Sequence, residues 1–236
     1  NDRNKIEILL MELTLQQQTI EAEDALAVQE LFFQNEWTDG LPVVPPTKNK
    51  IEAMLNAVPM DPQTIIGAIP ERGCVFTLEV AAINSVMAGC LPEYFPVVVT
   101  AVSAISDPAF GLHGPSASTH GPAILIIVNG PVTKSIGLNH GQNLFGPGVR
   151  ANSTIGRAVR LILLNAGGTR EFDRSTLGHG GKFSYCIAEN ETTEWLPLHV
   201  QKGYDPQSSS VTVFAGEAPN QFQNHTSQKA ESILLT

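Results

Sequence analysis

A chain of 236 residues, 42% hydrophobic and 16% charged, is long enough to bury a substantial core, which excludes a largely disordered protein. Fourteen basic against 23 acidic residues give a net charge of -9, which repels a nucleic-acid backbone, and no Lys/Arg cluster overrides it. No apolar run reaches the roughly 20 residues of a membrane span, and Cys74, Cys90 and Cys186, with no Cys-x-x-Cys, signal neither a disulfide framework nor a zinc ribbon, so a reducing, cytoplasmic setting is expected.

Residues 1–37 read as a helical extension, with Leu26, Leu31 and Phe32 on an apolar face and Glu21, Glu23 and Asp24 near a helix start. Thr38-Asp39-Gly40 breaks it, and Leu41-Pro42-Val43-Val44-Pro45-Pro46 must be extended, because proline fixes φ and removes the amide donor. Thr47 then heads a helix carrying Ile51, Met54 and Leu55 at helical spacing. A short strand is expected at residues 65–69, a buried helix over 76–88 stopped by Gly89, and a second helix over 95–106 with Pro96 in its first turn. The unbroken apolar run Ala123-Ile124-Leu125-Ile126-Ile127-Val128 is the clearest strand. A long glycine-rich loop leads from it to a helix over 153–165, capped by Asn152 or Ser153 and ended by Gly167-Gly168. Residues 183–187 and 211–215 read as further strands, and a last helix starts near Ser227. Its apolar residues Ala230, Ile233 and Leu234 meet no stop signal, so an oligomer, or a companion polypeptide carrying further elements, is expected to cover them.

Residues able to carry chemistry gather in the loops 111–122, 138–154 and 178–189. His113 and His120 flank a Gly-Pro-Ser segment before the buried strand, and imidazoles there can move protons or bind a metal; loop histidines equally serve to hydrogen-bond backbone. His140, Asn143, Arg150, Asn152 and Ser153 crowd the approach to a helix start, where free amides and a guanidinium suit a carboxylate or phosphate. This segment is neither a Walker loop nor a Gly-x-Gly-x-x-Gly fingerprint, so it names no nucleotide, and the identity of any cofactor is left open. Arg157 and Arg160, one turn apart in an apolar helix, require partners, with Glu79, Asp107 or a substrate as candidates. Cys74, close to Arg72, is better placed than Cys90 for a reactive thiol, and Glu189 ends a strand where a general acid or base is useful.

Three strings, Thr38-Asp39-Gly40-Leu41-Pro42-Val43-Val44-Pro45-Pro46-Thr47, Met87-Ala88-Gly89-Cys90-Leu91-Pro92-Glu93-Tyr94-Phe95-Pro96 and Asn152-Ser153-Thr154-Ile155-Gly156-Arg157-Ala158, resemble a poorly characterised bacterial family associated with small proteins bearing a selenocysteine- or cysteine-Gly-Ser-Cys (UGSC-type) motif. The resemblance runs from Trp37 to the C-terminus. It implies a thiol or selenol context and a further strand and helix beyond Thr236, and it supplies no catalytic residue.

The expectation is an α/β fold: a mixed sheet with helices on both faces, a helical extension over 1–37 and an α/β domain over 38–236 completed by more chain or by a partner. The function expected is an enzyme, or the substrate-binding subunit of one, acting on a small polar or anionic molecule by lyase, hydrolase or thiol-linked redox chemistry. Cys74, His113, His120 and Glu189 are the catalytic candidates; His140, Asn143, Arg150, Asn152, Ser153 and Arg157 are the binding candidates. A structural subunit of a homo- or hetero-oligomer, and a metal-binding protein using His113 and His120, are the alternatives.

Overall fold

The computed structural model describes residues 6–11 and 17–235. Strands β1 (Ile6–Met11) and β2 (Gln17–Ala22) form an antiparallel hairpin, and α1 (Ala25–Gln34) follows, capped by the Asp24 carboxylate, which accepts from the Leu26 and Ala27 amides at 2.9 and 2.8 Å. The continuous helix expected over 1–37 is therefore confined to α1; residues 1–5 and 12–16 of that expectation lie outside the described residues. Short apolar runs such as Ile6-Glu7-Ile8-Leu9 fit either period, and here cross-strand pairing decides for strand. On α1 the inward residues are Val28 and Phe32, while Leu26 is exposed. Phe32 meets Trp37 edge-to-face at 5.5 Å.

The chain then turns at Gly40, whose φ of 89° belongs to the left-handed region, and runs out as the proline-rich strip. Gln29 on α1 clamps that strip by bonding both the amide and the carbonyl of Val43, and the Val44 amide donates to Met87. Helix α2 (Lys48–Leu55) buries Ile51 and Met54; Thr47 precedes it without making a side-chain cap. Strands β3 (Ile65–Ile69) and β4 (Cys74–Thr77) make a second hairpin. Thr77 caps α3 (Leu78–Ala88), so Phe76 closes a strand and does not open the helix as the sequence pattern implies. All of α3 is buried, which explains its uniform apolar and small-residue character. Helix α4 (Phe95–Ile105) follows with Pro96 in its first turn, as expected, and the one-turn α5 (His113–Ser116) leads toward the main sheet.

That sheet has the order β6-β5-β7, with β5 (Ala123–Asn129) central, β6 (Cys186–Ala188) parallel to it and β7 (Ser210–Gly216) antiparallel. The α/β architecture with a mixed sheet is thus the one read from the sequence. Between β5 and β6 lie α6 (Pro131–Ser135), α7 (Arg150–Asn165) and α8 (Thr169–Phe172); α9 (Leu198–Gln201) precedes β7, and α10 (Ala230–Leu234) comes last. Ile124, Ile126 and Val128 of β5 face the core on the α7 side, whereas Leu125 and Ile127 lie half-buried on the other face with exposed Phe214 of β7. Helix α7 packs on α3 and reaches the start of β6 at Gly156, where an added Cβ would stand 2.5 Å from both the Ser184 hydroxyl and the Tyr185 amide. Among the described residues no helix is long and apolar enough to cross a membrane.

Candidate functional site

Helix α7 organises the polar chemistry because its two arginines diverge. Arg157 makes a bidentate ion pair with Asp39, Nε to Oδ2 and Nη2 to Oδ1 both at 2.8 Å, and Nη2 also donates to the Pro42 carbonyl at 2.8 Å. Its partner is neither Glu79 nor Asp107 but the loop aspartate 118 residues away, so Arg157 fastens the strip after Gly40 to the core. Arg160 turns to Asp173, whose Oδ2 accepts from Arg160 at 3.2 Å and from Lys182 at 2.7 Å, while Oδ1 takes the amide and hydroxyl of Ser175. Burial pushes the Asp173 pKa upward, but the hydrogen bonds and charge of Lys182 and the bonds from Ser175 win, holding it far below the ordinary carboxylate range. Asp173 is therefore a fixed anion that gathers cations.

Between these anchors opens a cleft of about 520 Å³. Phe33 and Glu36 form its wall at the end of α1, Thr38 and Gly40 its rim, Arg160 and Leu164 its α7 side, and Thr169, Arg170 and Asp173 the remainder. Arg170 commits Nη2 to the Thr38 carbonyl at 2.6 Å and to Asn165 at 3.3 Å; among the described residues its Nε and Nη1 have no partner. Burial lowers its pKa and nearby Glu36 raises it, and a guanidinium stays charged throughout. Thr169 is fully buried with no partner for its hydroxyl among the described residues. Behind this wall Arg72 donates to Gly167 and Ser116, each at 2.8 Å, and stacks over Phe172 at 4.7 Å, bracing the turn that presents Thr169 and Arg170.

In comparisons with protein-family models, curated proteins and solved structures, nothing matches this chain. The geometry above is accordingly the whole basis for a functional reading.

Of the three loops expected to share one pocket, 178–189 meets both of the others, 111–122 and 138–154. Loops 111–122 and 178–189 do meet, Gly121 lying against Gly178, and Gly181 and Lys182 lining one pocket with Pro115, Ser116 and Pro122; just upstream Ser175 donates to the His120 carbonyl and the Thr176 amide to Thr119. They meet at the entry to β5. The 138–154 segment is tied to the same 178–189 loop further along: the Ser184 hydroxyl donates to the Asn152 carbonyl at 3.0 Å, Phe145 packs on Tyr185 at 5.2 Å, and the Ala188 amide donates to Asn139. His113 is half-buried, its carbonyl held by Arg72 at 3.4 Å and its Nδ1 buried without a partner among the described residues; His120 is exposed. No group of three or more His, Cys, Asp and Glu side chains among the described residues is placed to hold a metal ion.

His140, Asn143, Arg150 and Ser153 are all exposed, away from the cleft lining. Asn143 folds the loop onto itself by donating to Pro147, and Arg150 donates to Gly89 at 2.9 Å. The expected cap at Asn152 or Ser153 is displaced: α7 begins at Arg150, and the buried Asn152 amide bonds Asn139 in both directions and Cys186 at 3.1 Å. With every bond spent on holding loop and strand together, Asn152 cannot cap. Glu189 accepts from Asn129 at 2.5 Å and from the Leu198 amide at 2.7 Å, closing the strand ends with Glu191.

The thiols lie off the cleft lining as well. Cys90 lies against the Thr154 carbonyl and burial pushes its pKa up to about 12, and burial raises Cys186 still further from the thiolate range. Cys74 is half-buried beside the Arg72 carbonyl and does not line the cleft. What sequence reasoning missed is Thr169, Arg170 and Asp173. Their signal is a helix stop, Gly167-Gly168, followed at once by alternating charge in Thr169-Arg170-Glu171-Phe172-Asp173.

Proposed function

We propose that the chain is an enzyme, or the substrate-binding chain of one, that takes a small polar or anionic molecule into the cleft between α1, α7 and α8. The observation that carries this reading is the pair of guanidiniums, Arg160 and Arg170, facing one cavity of about 520 Å³ in a protein whose net charge is -9. A cavity of this size with a few convergent polar groups and apolar walls suits a small-molecule ligand. Charge-assisted bonds to an anion contribute about 1.5–3 kcal/mol each, so loss of one should weaken binding roughly 10- to 100-fold.

Titration calorimetry against a panel of small carboxylates and inorganic phosphate tests the reading. At least one anion should bind the parent and bind Arg170→Met at least tenfold more weakly, with Arg160→Met also impaired. Binding indifferent to both substitutions, or none at millimolar ligand, refutes it.

A second reading, a subunit that assembles with copies of itself or with another chain, is favoured by the strongly exposed Leu177, Trp195, Leu196 and Phe222. Sedimentation at micromolar concentration separates the two: a 25.3 kDa monomer that still binds ligand leaves only the first.

A further inference from the structure

The cleft holds two guanidiniums and two carboxylates, and these four groups are not equally free. Asp173 is saturated by Arg160, Lys182 and Ser175, whereas the Glu36 carboxylate has neither ion pair nor hydrogen bond among the described residues. Glu36 is also in the wrong place for stability. It follows the last turn of α1 with φ of 58°, a left-handed position where glycine is the ordinary residue, and it puts negative charge beside a helix C-terminus. Strain of this kind marks function when it presents a side chain to a cavity. Glu36 and Arg170 line one cavity without forming an ion pair, so each has bonding capacity left for a ligand. Phe33, partly exposed although Phe32 beside it is fully buried, supplies with Leu164 an apolar wall between them.

We propose that the ligand of this cleft is a small zwitterion of the amino-acid type, its carboxylate on Arg170, its ammonium on Glu36 and its apolar substituent against Phe33 and Leu164. This rests on the small-molecule reading of the same cleft and narrows its substrate class. An ammonium at Glu36 meets the carboxylate beside the carbonyl end of α1, so the negative charge that opposes the helix dipole there is offset.

The test uses three probes in calorimetry: phenylalanine, 3-phenylpropionate, which lacks the amine, and phenethylamine, which lacks the carboxylate. Phenylalanine should bind the parent at least tenfold tighter than either. Glu36→Gln should abolish the advantage over 3-phenylpropionate, which should itself bind no more weakly than to the parent, and Arg170→Lys should weaken both carboxylates. Glu36→Gly should raise the melting temperature by relieving the backbone, yet lose the zwitterion preference, which separates a ligand role from a structural one. If 3-phenylpropionate binds the parent as tightly as phenylalanine, or Glu36→Gln retains the preference, the zwitterion proposal fails while the anion reading stands. If no probe binds, or Arg170→Lys changes nothing, the zwitterion proposal fails, and the anion reading is decided separately by the carboxylate and phosphate panel with Arg170→Met and Arg160→Met.

Discussion

Arg157→Met is the sharpest probe of how the cleft is held. In the parent the Arg157 and Asp39 side chains are 16% and 4% exposed, and two parallel 2.8 Å bonds join them. Removing the guanidinium strands the Asp39 carboxylate away from water, with the Leu41 amide at 3.3 Å as its remaining donor. Breaking a buried pair in this way costs about 3–5 kcal/mol, and at roughly 2–4 °C per kcal/mol for a chain of this size the melting temperature should fall by about 10 °C. Asp39→Ala should cost less, because Arg157 is better exposed and keeps the Pro42 carbonyl. Since Thr38 and Gly40 flank Asp39 and form the cleft rim, ligand affinity should fall with stability. Thermal and urea denaturation of both single variants and the double variant measure the coupling directly. Arg157→Met melting within about 2 °C of the parent, or Asp39→Ala proving the more damaging change, would refute the reasoning.

Asp173 makes stability pH-dependent: its folded pKa is depressed, so its contribution is complete above the ordinary carboxylate value of about 4 and is lost as pH falls below it toward the folded pKa. Urea titrations should therefore show a steeper acid-side loss in the parent than in Asp173→Asn, and identical slopes would contradict the network. Burial of Cys90 and Cys186 predicts that a disulfide reagent modifies Cys74 alone in the native protein at neutral pH and all three cysteines in guanidinium; rapid native reaction of a second thiol is the contrary result. Gly156→Ala should destabilise by about 1–3 kcal/mol through overpacking, despite the usual helical preference for alanine, because its Cβ would press on Ser184 and Tyr185. A melting temperature equal to or above the parent's would show that α7 does not approach β6 so closely.

Local signals were strong wherever one physical requirement dominated a segment. The continuous apolar run of β5 demands burial on both sides, Gly89 and Pro96 mark helix ends by backbone geometry alone, and the prolines after Gly40 exclude helix. Those features made the α/β class and the need for partners at Arg157 and Arg160 readable in advance. Tertiary structure decided everything that depends on who meets whom. The N-terminal run became a hairpin because a second strand was available to pair with it, and Asn152 became a strut because Asn139 and Cys186 came within reach. The cleft unites Glu36, Arg160 and Arg170, which are separated by more than a hundred residues at their widest, so no window of sequence contains it. Residue type and spacing report the local backbone and the demand for burial; the pairing of distant charges is set only when helices α1, α7 and α8 pack, since Coulomb and hydrogen-bond energies act through space and not along the chain.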